Sequence, residues 1–307
     1  MCIRDSLQSD DDEQAGYLVM HEQMASHVLR EVDDLLFVRK YAKVHTSMTA
    51  KKLGIRKRTS RLSSFNWGSE LSAPKQDEAL KYGKKILEPH YGTGSILVSR
   101  DLIRNSTLSA EGEVRSEMAR DSGEQMEDAY LMGDGNEKPL GIYVESPDGI
   151  TASRNVMTGS NNGFTFDGLL SAKYGLKQQY RRGQMGPCRW LFHRDSIANI
   201  AKIKDNEGQP IFRVGGGRQQ DTGLPEDMLL GYSVDESERA PNTLTPGNFG
   251  GSLQNWNYYE IADSLDMEIQ MLVELNARTN QVEFLYRLKT DGMPTLEEAF
   301  VRLMVGT

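Results

Sequence analysis

A long acidic segment followed by a glycine-rich loop constrains the fold of this chain more than any other feature. Between residues 109 and 132 apolar or small side chains recur every four positions, the spacing of one face of an α-helix. They are Val114, Met118, Ser122, Met126 and Tyr130. At 1.5 Å per residue the predicted helix is roughly 35 Å long, more than a compact core requires. The pattern therefore predicts a long strut across which neighbouring subunits can pack.

The remaining faces of the predicted helix are strongly acidic. They carry Glu111, Glu113, Glu117, Asp121, Glu124, Glu127 and Asp128 against only Arg115 and Arg120. The helix leads directly into residues 133–142, Gly-Asp-Gly-Asn-Glu-Lys-Pro-Leu-Gly-Ile. We expect the acidic faces to meet water or a basic partner.

Two blocks of opposite charge lie near the N-terminus. Residues 10–34 carry eight acids and one base, whereas residues 39–61 carry nine bases and no acid. Three interpretations are open: solvated faces, an N-terminal arm that crosses an adjacent acidic spine helix, or a nucleic-acid patch. The last is disfavoured because Tyr41 is the only aromatic residue in the basic block. If the arm hypothesis is correct, charge reversal at Arg56, Lys57 and Arg58 impairs assembly and leaves the subunit folded.

The overall composition excludes several classes of protein. The chain has 307 residues, enough to bury a substantial core, and a net charge of −8, which argues against a protein that mainly grips nucleic acid. Only 38% of residues are hydrophobic and the mean hydropathy is −0.55, as expected where long arms and loops order against neighbours. Cys2 and Cys188 are too few for a disulfide framework, which favours synthesis in a reducing cytosol. We find no apolar run long enough for a membrane span and no signal peptide.

Local patterns give a coarse map of the other elements. Residues 62–92 are polar and are typical of a protruding hairpin or long loop. Beyond the spine helix, strands and helices alternate. The expected elements are a helix from Asp167 to Arg181, a strand over 189–193, a helix over 194–203, a loop over 205–225, and strands over 258–262, 267–271 and 282–288.

Motifs for catalysis or metal binding are incomplete. Asp134, Asn136 and Glu145 match three positions of a calcium loop, but Lys138 and Pro139 occupy the positions that need a ligand and a glycine. The glycine clusters lack the Gly-Lys-Ser/Thr of a phosphate loop, the five histidines are scattered, and no Gly-x-Ser-x-Gly occurs. We therefore predict no catalytic, cofactor-binding or metal-binding residues.

Six segments, in order, resemble motifs of the tailed-phage major capsid proteins, which have the Hong Kong 97 fold. They are Trp67–Glu70, the segment 96–102 (Ile-Leu-Val-Ser-Arg-Asp-Leu), the loop 133–142 after the spine helix, the strand, helix and turn over 190–209, the segment 228–234 (Met-Leu-Leu-Gly-Tyr-Ser-Val), and 287–301, which holds Arg287, Asp291, Gly292 and Ala299-Phe300-Val301. The family segment that 228–234 resembles is a single strand. Ser233 stands where the family usually has proline. Each motif is weak alone, and the resemblance lies in their order.

The resemblance implies an α+β chain of Hong Kong 97 type with a long spine helix, peripheral and axial domains, an N-terminal arm and an extended loop that lies over a neighbouring subunit. The expected division is 1–45 for the arm, 46–61 and 93–144 for the peripheral domain with the spine helix at 109–132, 62–92 for the extended loop, 145–275 for the axial domain, and 276–307 for the return strands of the peripheral domain. Trp67 is then expected to anchor an intersubunit contact.

The function implied by the resemblance is that of a major capsid protein. Such a chain assembles into hexamers and pentamers of an icosahedral shell around double-stranded DNA, without sequence-specific contact to the DNA. Portal, scaffold and decoration proteins are the expected partners, and the expected locations are the host cytoplasm during assembly and then the virion. The alternatives are an encapsulin-like compartment of the same fold and a soluble α+β enzyme.

Part of the family also forms an isopeptide cross-link between an extended-loop lysine and an asparagine of the last strands, helped by a glutamate. Lys75, Lys81, Lys84 and Lys85 lie in or near the corresponding loop. The asparagine position falls near Phe284, whereas the nearest asparagines are Asn276 and Asn280. Non-covalent locking is therefore the expectation.

Overall fold

The computed structural model describes residues 37–46, 51–58, 67, 81–105, 110–182, 188–204, 212, 217–218 and 225–306. The predicted acidic block at 10–34 and most of the segments 62–92 and 205–225 lie outside the described residues.

The predicted spine helix is confirmed as α3, Ala110–Met132, which has 23 residues. Met118, Ser122 and Tyr130 are buried along its inner stripe, while Val114 and Met126 are half-buried. The other helices are α1 (Phe37–Tyr41), α2 (Arg100–Asn105), α4 (Phe166–Gly175), α5 (Gln178–Arg181) and α6 (Arg194–Ala201).

The strands of the described residues are β1 (Lys43–His45), β2 (Leu53–Arg58), β3 (Tyr82–Leu87), β4 (His90–Ser99), β5 (Asn155–Met157), β6 (Arg189–Phe192), β7 (Gly217–Arg218), β8 (Pro225–Glu226), β9 (Met228–Leu229), β10 (Tyr232–Glu236), β11 (Phe249–Gln254), β12 (Tyr259–Leu272), β13 (Gln281–Pro294) and β14 (Phe300–Met304). The chain is therefore α+β.

A four-stranded sheet packs against the spine helix in the order β1-β12-β13-β4. Its two longest strands, β12 and β13, run antiparallel, and β4 lies antiparallel to β13 on the outside. The two predicted strands at 258–262 and 267–271 are one continuous strand, β12, with register shifts after Asp263 and Leu265. At the far end of the spine helix, Val98, Met118, Val282 and Phe284 form a small core cluster.

A six-stranded sheet has the order β5-β14-β11-β6-β10-β9. Its buried side chains, including Trp190, Phe192 and Leu253, form one core together with Leu169 and Leu176 from the helices on its face. The tail 276–307 is divided between the sheets, because β13 belongs to the four-stranded sheet and β14 pairs with β11 and β5. A third cluster, which includes Tyr130, Ile142, Trp256 and Tyr259, lies around the end of the spine helix.

Two local predictions are wrong in detail. The helix expected from Asp167 to Arg181 begins earlier, because its N-cap is Thr165, two residues before Asp167, and the Thr165 side chain accepts a hydrogen bond from the Gly168 N–H. It ends at Gly175, since Leu176 adopts an extended conformation and turns into the core. The segment 228–234 is a tight hairpin and not one strand, because Leu230 and Gly231 both have positive φ, 52° and 84°.

Candidate assembly surfaces

The loop after the spine helix folds back on the helix end. The N–H groups of Gly141, Ile142 and Tyr143 donate to the carbonyl oxygens of Gly133, Tyr130 and Leu131, over 2.8, 3.3 and 3.0 Å. These bonds satisfy carbonyls that a helix C-terminus leaves without partners. A Cβ atom at Gly133 would overlap the carbonyl oxygens of Pro139 and Ala129. The glycine is therefore required by the close approach of two backbone segments.

The same loop is fastened to the four-stranded sheet. The Leu140 N–H donates to the Gly292 carbonyl over 2.7 Å, and the Tyr259 hydroxyl donates to the Leu140 carbonyl over 2.9 Å. Both partners lie at the paired ends of β12 and β13. The residues that carry the family resemblance thus form a junction between the spine helix and this sheet.

Arg302 on β14 connects the junction to the six-stranded sheet. Its guanidinium is fully buried and donates to the Val144 and Thr151 carbonyls over 3.1 and 2.9 Å, and to Asn155 Oδ1 over 2.9 Å. Its Cζ lies 4.8 Å from the centre of the Phe249 ring. Burial lowers the pKa of Arg302, although Glu145 opposes this effect. Arg302 was not predicted as a functional residue, because its only signal in the sequence is a cation inside an otherwise apolar run.

Partners on other elements of the same chain contact three spine carboxylates, Glu124, Glu127 and Asp121. Glu124 accepts from Arg120 over 3.0 Å and pairs with Arg239. Glu127 is only 3% exposed, and Ser237 donates to it over 3.3 Å. The segment 237–239 of the same chain therefore covers one acidic face of the helix, where Arg239 is the basic partner of Glu124.

Asp121 is the third of these carboxylates. The Tyr286 hydroxyl on β13 donates to it, and this hydrogen bond raises the tyrosine pKa to about 12. The Asp121 side chain remains at the surface.

Two bases at the start of the N-terminal basic block, Arg39 and Lys43, contact their own chain. Arg39 on α1 pairs with Asp263 on β12 at 2.6 Å, and its other nitrogen lies 3.4 Å from the Tyr130 hydroxyl. Glu260 lies 2.8 Å from His45 and 3.6 Å from Lys43, both on β1. These contacts fix the start of the described chain against β12. Whether an arm crosses the spine helix of another subunit stays a prediction.

The β2–β3 hairpin is held against the body at one end, which we call the root. Leu87 is fully buried there. The Lys85 ammonium donates to the carbonyls of Asp148 and Pro294, the latter over 2.7 Å, and burial together with nearby Lys57 lowers its pKa to about 8. The Glu88 N–H donates to Asp291 over 2.7 Å, and burial raises the pKa of Asp291 to about 6.

The outward face of the hairpin carries cations and exposed aromatic or aliphatic side chains. Arg56 lies directly opposite Lys84, and both are exposed. Tyr82 and Ile86 flank Lys84 on the same strand face and are also exposed. Trp67, in the loop expected to anchor a neighbour, is 91% exposed.

The candidates for a covalent cross-link lie at opposite ends of β13. Lys85 is bonded at the hairpin root near Asp291, whereas Asn276 donates to Glu283 and Asn280 to Asp101 at the other end. Ten strand residues separate these ends by roughly 30 Å. A link within one chain is therefore excluded for these residues, and Lys75 lies outside the described residues. Non-covalent locking between subunits stays the prediction.

The described residues hold no group of three or more His, Cys, Asp or Glu side chains placed to bind a metal ion. In the segment that partly matches a calcium loop, the Asp134 carboxylate accepts a hydrogen bond from the Asn136 N–H over 3.0 Å. It also lies 3.5 Å from the Lys138 ammonium, which therefore stands where a calcium ion would have to bind. His193 caps α6 and pairs with Glu238 at 3.0 Å. Burial raises the pKa of Cys188 to about 12, which keeps its thiol protonated and unreactive. None of the described helices is long and apolar enough to span a bilayer.

The fold of this chain is similar to the folds of solved capsid chains. The chain is similar to a chain of the capsid of a native GTA particle, with a TM-score of 0.82 and 19% identity over 98% of this chain and 100% of the other. It is also similar to a chain from Mycobacterium phage Bobi, with a TM-score of 0.69, 12% identity and 98% and 99% coverage. The capsid of cyanophage P-SCSP1u gives a TM-score of 0.62, 11% identity and 93% coverage of both chains. The TM-scores establish the fold, and at identities below 20% they establish nothing beyond it.

The sequence itself establishes the family. The model of the phage capsid family matches residues 15–305, and the chain therefore belongs to this family. No curated protein sequence matches it significantly. The predicted Hong Kong 97-type capsid fold and the predicted class of major capsid protein are both confirmed.

Proposed function

We propose that this chain is the major head protein of a tailed phage or phage-like particle, which assembles into hexamers and pentamers of an icosahedral shell around double-stranded DNA. The observation that carries the proposal is the family match over 15–305 together with a fold that aligns end to end with capsid subunits. Its relatives are named as phage or GTA-particle capsids, which favours this function over an encapsulin-like compartment.

The proposal includes a division of labour within the chain. Residues 1–45 form an arm, 46–61 and 93–144 the peripheral body, 62–92 the extended loop, 145–275 the axial body, and 276–307 the return strands. The pairing of β14 with β11 supports one refinement, in which the final strand serves the axial sheet. The pairing of β2 with β3 supports a second refinement, in which the extended loop begins at Leu53 and not at residue 62.

The chain's role is structural and not enzymatic in this proposal. Carboxylates that could act in catalysis are used in the junction and root contacts, such as Asp263 with Arg39 and Asp291 with the Glu88 N–H. The partners are other copies of the chain, portal, scaffold and decoration proteins, and packaged DNA held without sequence-specific contact. The shell is built in the host cytoplasm and becomes part of the virion.

Electron microscopy of the purified protein, with size-exclusion light scattering, tests this proposal. We expect shells, tubes, or discrete hexamers and pentamers, with scaffold and portal added where the chain alone does not close. Nuclease-protected DNA inside shells made during infection supports the phage function, whereas a protein cargo supports the compartment. A chain that stays monomeric with scaffold and portal present contradicts the proposal.

Charge reversal at Arg56, Lys57 and Arg58 gives a second test. Assembly is expected to fail while circular dichroism shows that the subunit stays folded, because Arg56 lies on the exposed face of the hairpin and reversal of Lys57 replaces its repulsion of Lys85 by attraction. Normal particles from this variant contradict an assembly role for the basic block.

A further inference from the structure

A second basic region of the chain lies beside the six-stranded sheet. The stretch from residue 168 to residue 194 contains six bases and no acid. Arg189 pairs with Asp235 and Arg194 with Glu238. The other four bases lie on or next to the helices α4 and α5, and we call them the α5 patch. They are Lys173 of α4, Lys177 at the N-cap of α5, Arg181 at its last position and Arg182 at its C-cap.

The side chains of the α5 patch converge on an exposed tyrosine. The Arg181 Cζ lies 4.9 Å and the Lys173 Nζ 5.6 Å from the centre of the Tyr174 ring, so the ring holds both cations near each other. The Lys177 ammonium lies 3.0 Å from Glu298. One carboxylate balances at most one of the four bases, and the patch therefore keeps a strong positive charge.

The acidic block at residues 10–34 joins the described chain next to this patch. The block ends three residues before Phe37, which is buried with its ring 5.4 Å from that of Trp256. Both residues belong to the same core cluster as Tyr180, which lies on α5 beside Arg181. Because a chain spans up to about 3.3–3.6 Å per residue, ten residues before Phe37 reach as far as roughly 35 Å. The acidic block can therefore reach the α5 patch of its own chain.

Charge complementarity favours this occupant over two others. The block carries eight acids and one base. DNA is a weaker candidate, since the whole chain has a net charge of −8. The spine helix of a second copy is also weaker, because its Glu124, Glu127 and Asp121 contact partners in their own chain. A tethered segment has the further advantage of a high effective concentration.

We propose that the acidic block 10–34 docks on the α5 patch of the same chain, where its carboxylates pair with Lys177, Arg181 and Arg182. The docking neutralises a basic surface and shields it from other polyanions, DNA among them. The contact lies within a single subunit and goes beyond the proposed function, so a failure of this proposal leaves the proposed function intact.

Carbodiimide cross-linking of the disassembled full-length subunit tests the docking. The reagent condenses a carboxylate with an amine in contact with it into an amide and is itself hydrated to a urea. We expect links to residues 10–34 from Lys177, and from position 182 in the variant Arg182→Lys, at least tenfold more often than from exposed Lys84 on the β2–β3 hairpin. Equal frequencies at these positions overturn the proposal. In a mixture of ¹⁴N and ¹⁵N subunits, links that join the two isotopes overturn docking within one chain.

Charge reversal tests whether the α5 patch directs these links. Arg181→Glu combined with Arg182→Glu is expected to reduce the links from Lys177 at least tenfold. Arg182→Glu alone changes only an exposed side chain and is expected to reduce them at least threefold. The matched control, Arg278→Glu with Arg287→Glu, changes the net charge equally at two exposed positions and should keep the links. An unchanged yield in the patch variants, or an equal loss in the control, contradicts the proposal.

A short labelled DNA duplex tests the competing occupant. The wild-type subunit is expected to show no more duplex binding at physiological salt than the Arg181→Glu, Arg182→Glu variant. Salt-dependent binding that this variant loses, together with no links to residues 10–34, would assign the patch to DNA and overturn the docking of the acidic block.

Discussion

Replacement of Arg302 by methionine is expected to destabilise the subunit by about 3–5 kcal/mol, the range for removing one partner from a buried charged network. Three short hydrogen bonds from the guanidinium are lost, to Val144, Thr151 and Asn155. Each bond from a charged donor contributes about 1.5–3 kcal/mol. Part of this loss is offset because the guanidinium loses hydration energy on burial and a methionine side chain does not. The Val144 and Thr151 carbonyls, however, remain buried without a donor. The loss is about a third of the stability of a typical domain.

Urea unfolding of the disassembled subunit measures this effect. Trp190 and Trp256 are both buried and lie in different core clusters, so their emission reports both parts of the body. Arg302→Lys is expected to fall between methionine and wild type, because one ammonium cannot reach all three acceptors. Arg287→Met, which removes an exposed arginine of β13, is the matched control and should stay within about 0.5 kcal/mol of wild type. A loss below about 1 kcal/mol for Arg302→Met would refute the view that this side chain joins the junction to the sheet.

Two further substitutions test the junction and the hairpin root. Gly133→Ala should cost about 1–3 kcal/mol by overpacking against backbone carbonyls, whereas Gly54→Ala, with no atom within 4 Å, should be nearly neutral in the same unfolding assay. Burial raises the pKa of Asp291 from 3.8 to about 6, so the stability from this group is fully present below pH 4 and is lost as the pH rises through 6. Asp291→Asn should therefore gain up to about 3 kcal/mol over wild type between pH 4 and pH 7, and an unchanged difference between the two proteins across that range would contradict this assignment.

The spine helix and its loop were predictable from sequence because local patterns determine them. The four-residue stripe sets the inner face of α3, and the glycines at 133 and 141 allow the return of the chain. The loop contacts with Gly292 and Tyr259 were not predictable, because they join residues more than 100 positions apart. The order of the family motifs predicted the fold where no single motif did.

The contacts that fix the assembly surfaces left little signal in the sequence. Glu127 has the same kind of acidic neighbours in the sequence as the exposed spine carboxylates, and only its contact with Ser237 in the fold distinguishes it. Asp291 belongs to a recognised family motif, but its bond to the Glu88 N–H depends on where the hairpin root meets β13. Leu230 showed no turn signal, because residues with its side chain rarely adopt a positive φ. In each case tertiary placement decided the role of the residue.

The low mean hydropathy of the chain does not reflect a poorly packed core. The body is not short of apolar contacts, since both sheets bury large aromatic side chains such as Trp190 and Trp256. Large apolar side chains are exposed on several elements, such as Tyr82 on the hairpin, Leu97 on β4, Tyr174 on α4 and Leu275 in the turn before β13. A packed core together with apolar side chains at the surface fits a subunit that buries further apolar area against other copies.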